Sequence, residues 1–167
     1  MTTTKKAGAD DASPASYELV DLTAEPLVPR ACPMAAALQL LGERWTLLAV
    51  RELNYGVHRF DQIARYTGAS RDILADRLRK LEEAGVIERR QYSEHPPRFE
   101  YHLAAAGKEL RPVLLSLAEW GSRWTQEPPT ATVAHDCGHR LEIDQVCHHC
   151  GEPVTHSSTR LRARIRS

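Results

Sequence analysis

The residues with the clearest capacity for chemistry lie near the carboxy terminus, where 134–154 read AHDCGHRLEIDQVCHHCGEPV. Cys147-His148-His149-Cys150-Gly151 has the CxxCG form of a zinc knuckle. In such a turn two thiolates converge on one tetrahedral ion, and glycine permits the tight backbone beneath it. Upstream, His135-Asp136-Cys137-Gly138-His139 offers a third thiolate and imidazole nitrogens. The expected ligand set for a structural Zn2+ is therefore Cys137, Cys147, Cys150 and either His135 or His139. His135 is preferred, because His-x-Cys-Gly puts a glycine after its last ligand, as the second knuckle does. The stretch is too short to bury a core of its own, so a metal worth roughly 10 to 16 kcal/mol is what would fold it. Four protein ligands leave no position for a substrate water, which makes such a site structural; no carboxylate or histidine is clearly paired with an open metal position, so the chain is expected not to be an enzyme. The competing readings are a disulfide and loose thiols.

The fourth cysteine, Cys32, precedes Pro33. Proline is favoured at the first position of a helix, which puts Cys32 at the N-cap. A thiol there feels unsatisfied backbone N–H groups and the positive end of the helix dipole, both of which favour the thiolate. Cys32 is thus a candidate sensor of oxidants or electrophiles, against the alternative of a small buried hydrophobe.

The basic side chains are concentrated differently. Formal net charge over all 167 residues is zero, which argues against a nonspecific polycationic binder. From 59 to 98 there are nine Arg or Lys against seven Asp or Glu, so nucleic-acid binding here would depend on placement. The elements that do the placing can be read from spacing. Phe60, Ile63 and Ala64 fall at helical intervals, Gly68 interrupts, and Ser70 stands as an N-cap before a second helical run. Ile73, Leu74, Leu78 and Leu81 form the buried stripe of that run, Arg71 and Lys80 point away from it, and Arg77 lies at the edge. From Val86 the pattern turns to period two, breaks at HPPR (95–98), and resumes through Phe99, Tyr101 and Leu103. This predicts a β-hairpin with Arg98 near its tip. Helix, turn, helix and basic hairpin in that order suit B-DNA, whose major groove admits a helix.

Flanking segments complete the core. Met34, Ala37, Leu38 and Leu41 are expected as the buried stripe of a first helix closed by Gly42. A second helix over Trp45 to Leu53 turns Trp45, Leu48, Ala49 and Leu53 inward. After the hairpin, Ala104 to about Gln126 reads as helical, with Pro112 either a kink or its true first turn. Leu110, Leu114, Leu117, Trp120 and Trp124 lie along one face of it. Two tryptophans on so small a domain suggest a partner helix from a second subunit.

CPMAAALQLLGERWTLLAVREL and the sequence that follows it to AEW at 118–120 resemble the HxlR-type winged-helix transcriptional regulators, relatives of MarR-like proteins. The resemblance covers about ninety residues and rests on Cys32-Pro33, GERWTLLAVREL at 42–53, RF at 59–60, LADRLRKLEEAGVIER at 74–89, PPRFEY at 96–101 and AEW. It implies a homodimer on a two-fold operator in double-stranded DNA, with recognition helices about 34 Å apart. It also implies control of a neighbouring gene and, in some members, sensing of quinones, aldehydes or oxidants at the position of Cys32. Carried across, the DNA contacts would be Ser70, Arg71 and Arg77 on the recognition helix and Arg98 on the wing, with Lys80 beside them. In TGASRDIL the family usually has isoleucine or leucine before the serine where Ala69 stands, which leaves base preference open.

The expected fold class is mainly α with a small β-hairpin wing (α+β), with a short C-terminal zinc ribbon added. Residues 1–30 read as a flexible arm, 31–126 as the DNA-binding and dimerisation domain, 134–154 as the zinc module and 155–167 as a basic flexible tail. No apolar run approaches the roughly 18 to 20 residues that span a bilayer, and no secretory signal is evident, so the expected location is the cytoplasm, with no membrane partner. The function expected is sequence-specific regulation of transcription, open to a small-molecule effector. A protein-interaction adaptor using the winged helix and the ribbon is the alternative.

Overall fold

The computed structural model describes residues 17–19, 32–125, 133–159 and 162–164. The chain forms two compact units, Arg30–Ile143 and a second made of Met1–Pro29 with Asp144–Ser167.

In the larger unit α1 spans Pro33–Leu41, with Cys32 at the N-cap and proline in the first turn as expected. Its apolar stripe is not buried. Met34 is 68% exposed and Leu38 55%, Ala37 is also exposed, and Leu40 and Leu41 are what touch the core. Leu41 packs inward as expected, whereas Met34, Ala37 and Leu38 do not, because periodicity identifies an apolar side without saying what covers it.

α2 (Thr46–Asn54) lies at the centre, with Ala49, Val50, Leu53 and Thr46 buried. Trp45 and Leu48 are only half-buried. Glu52 is buried too, and its Oε1 accepts from Arg51 Nε at 2.8 Å and from the terminal nitrogen at 2.6 Å, so the carboxylate enters the interior already partnered.

α3 (Phe60–Thr67) and α4 (Arg71–Glu83) pack on α2, burying Ile63, Leu74, Leu78 and Leu81. Ile73, expected in that stripe, is 40% exposed: it lies one residue off the row through 74, 78 and 81 and faces outward. The chain then enters β2 (Ile87–Glu94) and returns as β3 (Pro97–Leu103), antiparallel, with Ile87 opposite Leu103 and Arg90 opposite Glu100.

The base of this hairpin is held to the loop before α3. Tyr101 N–H donates to the His58 carbonyl at 2.9 Å, and His58 Nδ1 donates back to the Tyr101 carbonyl at 2.9 Å. The His58 and His102 rings stack with centroids 4.1 Å apart. Val86 and Ile87 are buried at the hairpin's start, while Tyr101 and Leu103 pack against the core from β3.

The last helical stretch divides. α5 covers only Ala105–Lys108, and α6 runs Arg111–Trp124 with Pro112 in its first turn. Proline therefore marks a start rather than a kink, because its missing N–H costs nothing there. Gly107 is buried where an added Cβ would collide with the Val86 carbonyl, so only glycine lets α5 lie against the hairpin.

In the smaller unit Tyr17–Leu19 forms β1 and Arg162–Arg164 forms β4, paired antiparallel. Short pieces of the expected arm and tail are thus strands; the rest of the arm, and residues 160, 161 and 165–167 of the tail, lie outside the described residues. Val146 bridges to Pro153, and His156–Ser158 makes a 3-10 turn capped by Thr155.

Candidate nucleic-acid interface

The turn between α3 and α4 is built from four consecutive residues. Thr67 is buried, and its hydroxyl donates to the Ile63 carbonyl at 2.7 Å while accepting from Ala69 N–H at 3.3 Å. Gly68 takes φ 76°, the left-handed conformation that ends α3 and that a side chain would strain. Ala69 is buried between the helices, where a small side chain fits. Ser70 caps α4, its Oγ accepting from Ile73 N–H at 3.4 Å. Thr67 carries no motif signal; its role becomes visible only in the folded turn.

Arg71 occupies the first turn of α4. Its guanidinium meets Asp61 Oδ1 at 2.5 Å and lies 5.0 Å over the Phe60 ring. Both groups sit at the start of α3, so the arginine is held across the helix-turn-helix at its exposed end. Arg98, on β3, lines the same cleft as Arg71, together with Arg59, Asp61 and Tyr92. The fold thus brings Arg71 of α4 and Arg98 of the wing to one cleft. Arg59 was not among the expected contacts. It reaches Glu100 Oε1 at 3.3 Å and stacks 5.0 Å from the Tyr92 ring, and its position just before α3 was the available signal.

The remaining two residues are placed differently. The Arg77 side chain is only 15% exposed and pairs with Glu43 and Asp76, each at 3.4 Å, with its Nε buried and unpartnered. Lys80 Nζ lies 2.9 Å from Asp76 Oδ2, and Arg79 meets Asp76 at 2.8 Å. Lys80, then Arg79, hold the Asp76 carboxyl below the ordinary carboxylate range. The middle of α4 is therefore a self-compensated charge cluster, whereas Arg71, paired with Asp61, and Arg98 of the wing both line an open cleft.

Cys32 is half-buried, and its side chain makes no capping hydrogen bond. On α6, the five residues of the expected dimer face divide: Leu110 and Leu114 pack on the core of their own unit, while Leu117, Trp120 and Trp124 are 51%, 58% and 70% exposed. Between α2 and α6 lies an apolar cavity of about 210 Å³, lined by leucines of both helices with Arg51 and Arg111 at its edge.

At the carboxy-terminal cysteines, the thiol of Cys147 is held below its ordinary range by the backbone N–H groups of Cys150 and then His149, with the Cys150 side chain contributing further. Among the described residues no three His, Cys, Asp or Glu side chains form a group that could hold a metal ion. No described helix is long and apolar enough to cross a membrane.

A helix-turn-helix followed by a two-stranded wing, with arginines from both around one cleft, defines a winged-helix protein of the nucleic-acid-binding class. Residues 40–129 match the signature of the HxlR-like helix-turn-helix family. The chain belongs to that family and is an HTH-type transcriptional regulator; such regulators are not enzymes. It is 43% identical over 122 residues to the HTH-type transcriptional regulator Rv3095 of Mycobacterium tuberculosis, spanning 71% of this chain and 77% of that one. Its fold is similar to the crystal structure of PA1607, a provisionally assigned transcription factor, with TM-score 0.68 and 32% identity over 78% of this chain and 94% of that one. It is also similar to the redox regulator HypR in its oxidised form, with TM-score 0.51 and 29% identity, covering 57% of this chain and all of that one.

Proposed function

We propose that this regulator binds a two-fold DNA operator as a homodimer, and that Cys32 makes the binding sensitive to thiol oxidants or electrophiles. The observation that carries the DNA reading is the shared cleft of Arg71 and Arg98, with Arg59 between the helices and the wing. The first turn of α4 enters the major groove, where Ser70 and Arg71 meet base edges and phosphates, and Arg98 reaches the flanking phosphate row. Lys80 contributes to the field along α4, and Arg77 supports the helix through Glu43 rather than touching bases.

Dimerisation is supported by the exposed Leu117, Trp120 and Trp124 of α6 and the exposed Met34 and Leu38 of α1. A small protein seldom leaves large apolar side chains uncovered on two of its helices without a partner. Cys32 begins α1, so a group added to its thiol changes the start of a helix whose apolar side is free to meet a second copy. HypR, a redox regulator by its description, shares the fold. A small apolar effector has the cavity between α2 and α6 as its candidate place, next to the helix on which α3 and α4 pack.

The test is recovery of genomic DNA fragments on the purified protein at near-physiological salt, with and without a thiol oxidant, for wild type and Cys32→Ser. A short inverted repeat that is enriched, then altered by oxidant only when Cys32 is present, is the expected result. Enrichment that the oxidant changes equally in Cys32→Ser removes the sensor. No sequence enrichment at all moves the adaptor reading ahead of DNA recognition.

A further inference from the structure

The two cysteine-containing turns share one hydrogen-bond scheme, each complete within its own unit, the second longer by one residue. In the first, Ala134 bridges to Arg140, His135 N–H donates to the His139 carbonyl at 2.9 Å, and Gly138 N–H donates to the His135 carbonyl at 2.8 Å. In the second, Val146 bridges to Pro153, Cys147 N–H donates to the Glu152 carbonyl at 2.8 Å, and Gly151 N–H donates to the Cys147 carbonyl at 2.8 Å. The outer bond repeats as well: Leu141 N–H to the Val133 carbonyl, and Val154 N–H to the Gln145 carbonyl, both at 2.8 Å. Gly138 and Gly151 take φ 87° and 76°, the left-handed region that glycine adopts without strain.

Superposing the two hydrogen-bond schemes matches the positions at both ends of each turn, with His148-His149 standing where the first turn has Asp136 alone. Cys147, the first residue of its turn, corresponds to His135. Cys150, the residue before the left-handed glycine, corresponds to Cys137. Glu152, whose carbonyl closes the turn, corresponds to His139. The spacing alone leaves His135 and His139 as rivals; the backbone puts His135 at the ligand position and His139 in the returning arm.

We propose that these turns are zinc half-sites, with His135 and Cys137 the ligand pair of one and Cys147 and Cys150 the ligand pair of the other, and that Zn2+ is a structural cofactor of the chain. Each turn offers two ligands, and the donor types, three thiolates with one imidazole, are ones that zinc accepts. In the first turn Cys137 N–H donates to His135 Nδ1 at 3.2 Å. A neutral imidazole has one lone pair on its ring nitrogens, so ligation by His135 replaces that hydrogen bond. Residues 133–159 bury no side chain, so they have no core to stabilise them, and binding of the ion is coupled to fixing the two turns.

The proposal does not depend on DNA binding and is tested without DNA. Reduced, metal-free, full-length protein is titrated with Co2+ and then with Zn2+. The expected result is a tetrahedral cobalt spectrum with thiolate charge-transfer bands, displaced by one zinc ion per chain. His139→Ser leaves the zinc affinity unchanged. His135→Ser lowers it by more than about 100-fold, the upper range for loss of even an outer-shell partner. His135→Cys keeps the tetrahedral spectrum and strengthens the charge-transfer band, which guards against reading a misfolded serine variant as a lost ligand. An octahedral cobalt spectrum, or no cobalt bound, overturns the site. Sensitivity to His139→Ser in place of His135→Ser overturns the ligand assignment.

Discussion

Replacing Arg98 with alanine isolates the wing's contribution to DNA binding. Arg98 is exposed on β3, and the described residues show no acidic partner for it, so its removal strips a cation without orphaning a carboxylate. Arg71 is less clean, because its loss frees Asp61, 2.5 Å away. Each phosphate neutralised contributes about 0.9 to the slope of log K against log salt, so a dimer that loses Arg98 twice loses about 1.8 from the slope. Between about 50 and 200 mM salt that difference amounts to a roughly 12-fold change in the ratio of wild-type to variant affinity, with the advantage of wild type greatest at low salt. Fluorescence anisotropy on the recovered operator and on a scrambled duplex, at four or more salt concentrations, measures it. Because a phosphate contact carries no sequence information, both duplexes should lose affinity alike. An unchanged slope would show that Arg98 does not touch the phosphate row, and a loss confined to the operator would make it a base reader; either result refutes the assignment of the wing.

Three further outcomes follow from named contacts. Trp120→Asp puts a charge on the exposed face of α6, and sedimentation should show a monomer at concentrations where wild type is dimeric; a dimer of unchanged stability would place the interface elsewhere. Gly107→Ala forces a Cβ against the Val86 carbonyl and should cost about 1 to 3 kcal/mol in denaturant unfolding, even though alanine favours a helix by about 1 kcal/mol. Asp76, held below the ordinary carboxylate value of 3.8 by Lys80 and Arg79, contributes stability that is present above that value and lost as pH falls through its lower folded value. The unfolding midpoint of wild type should therefore drop more steeply than that of Asp76→Asn on acidification below about pH 4, and parallel curves would remove the cluster's role.

The helix-turn-helix was legible in the sequence because every signal that defines it is local. Gly68 at a left-handed end, Ser70 as a cap, Pro112 in a first turn and the apolar row through Leu74, Leu78 and Leu81 act within a few residues of themselves. So do the period-two strands around HPPR, and Cys32-Pro33 at the start of α1. What the chain alone did not decide is which apolar face is covered and which cation is engaged. Met34 and Leu38 look like core by spacing, yet among the described residues both are more than half exposed. Spacing puts Arg77 at the edge of the buried stripe and Arg71 beyond it but names no partner for either: one is folded in against Glu43, while the other pairs with Asp61 at an open cleft shared with a wing arginine twenty-seven positions further along the chain. Caps, turns and periodicity are fixed by nearest neighbours; burial and pairing are fixed by whatever segment arrives from a distance, and only the tertiary structure supplies that segment.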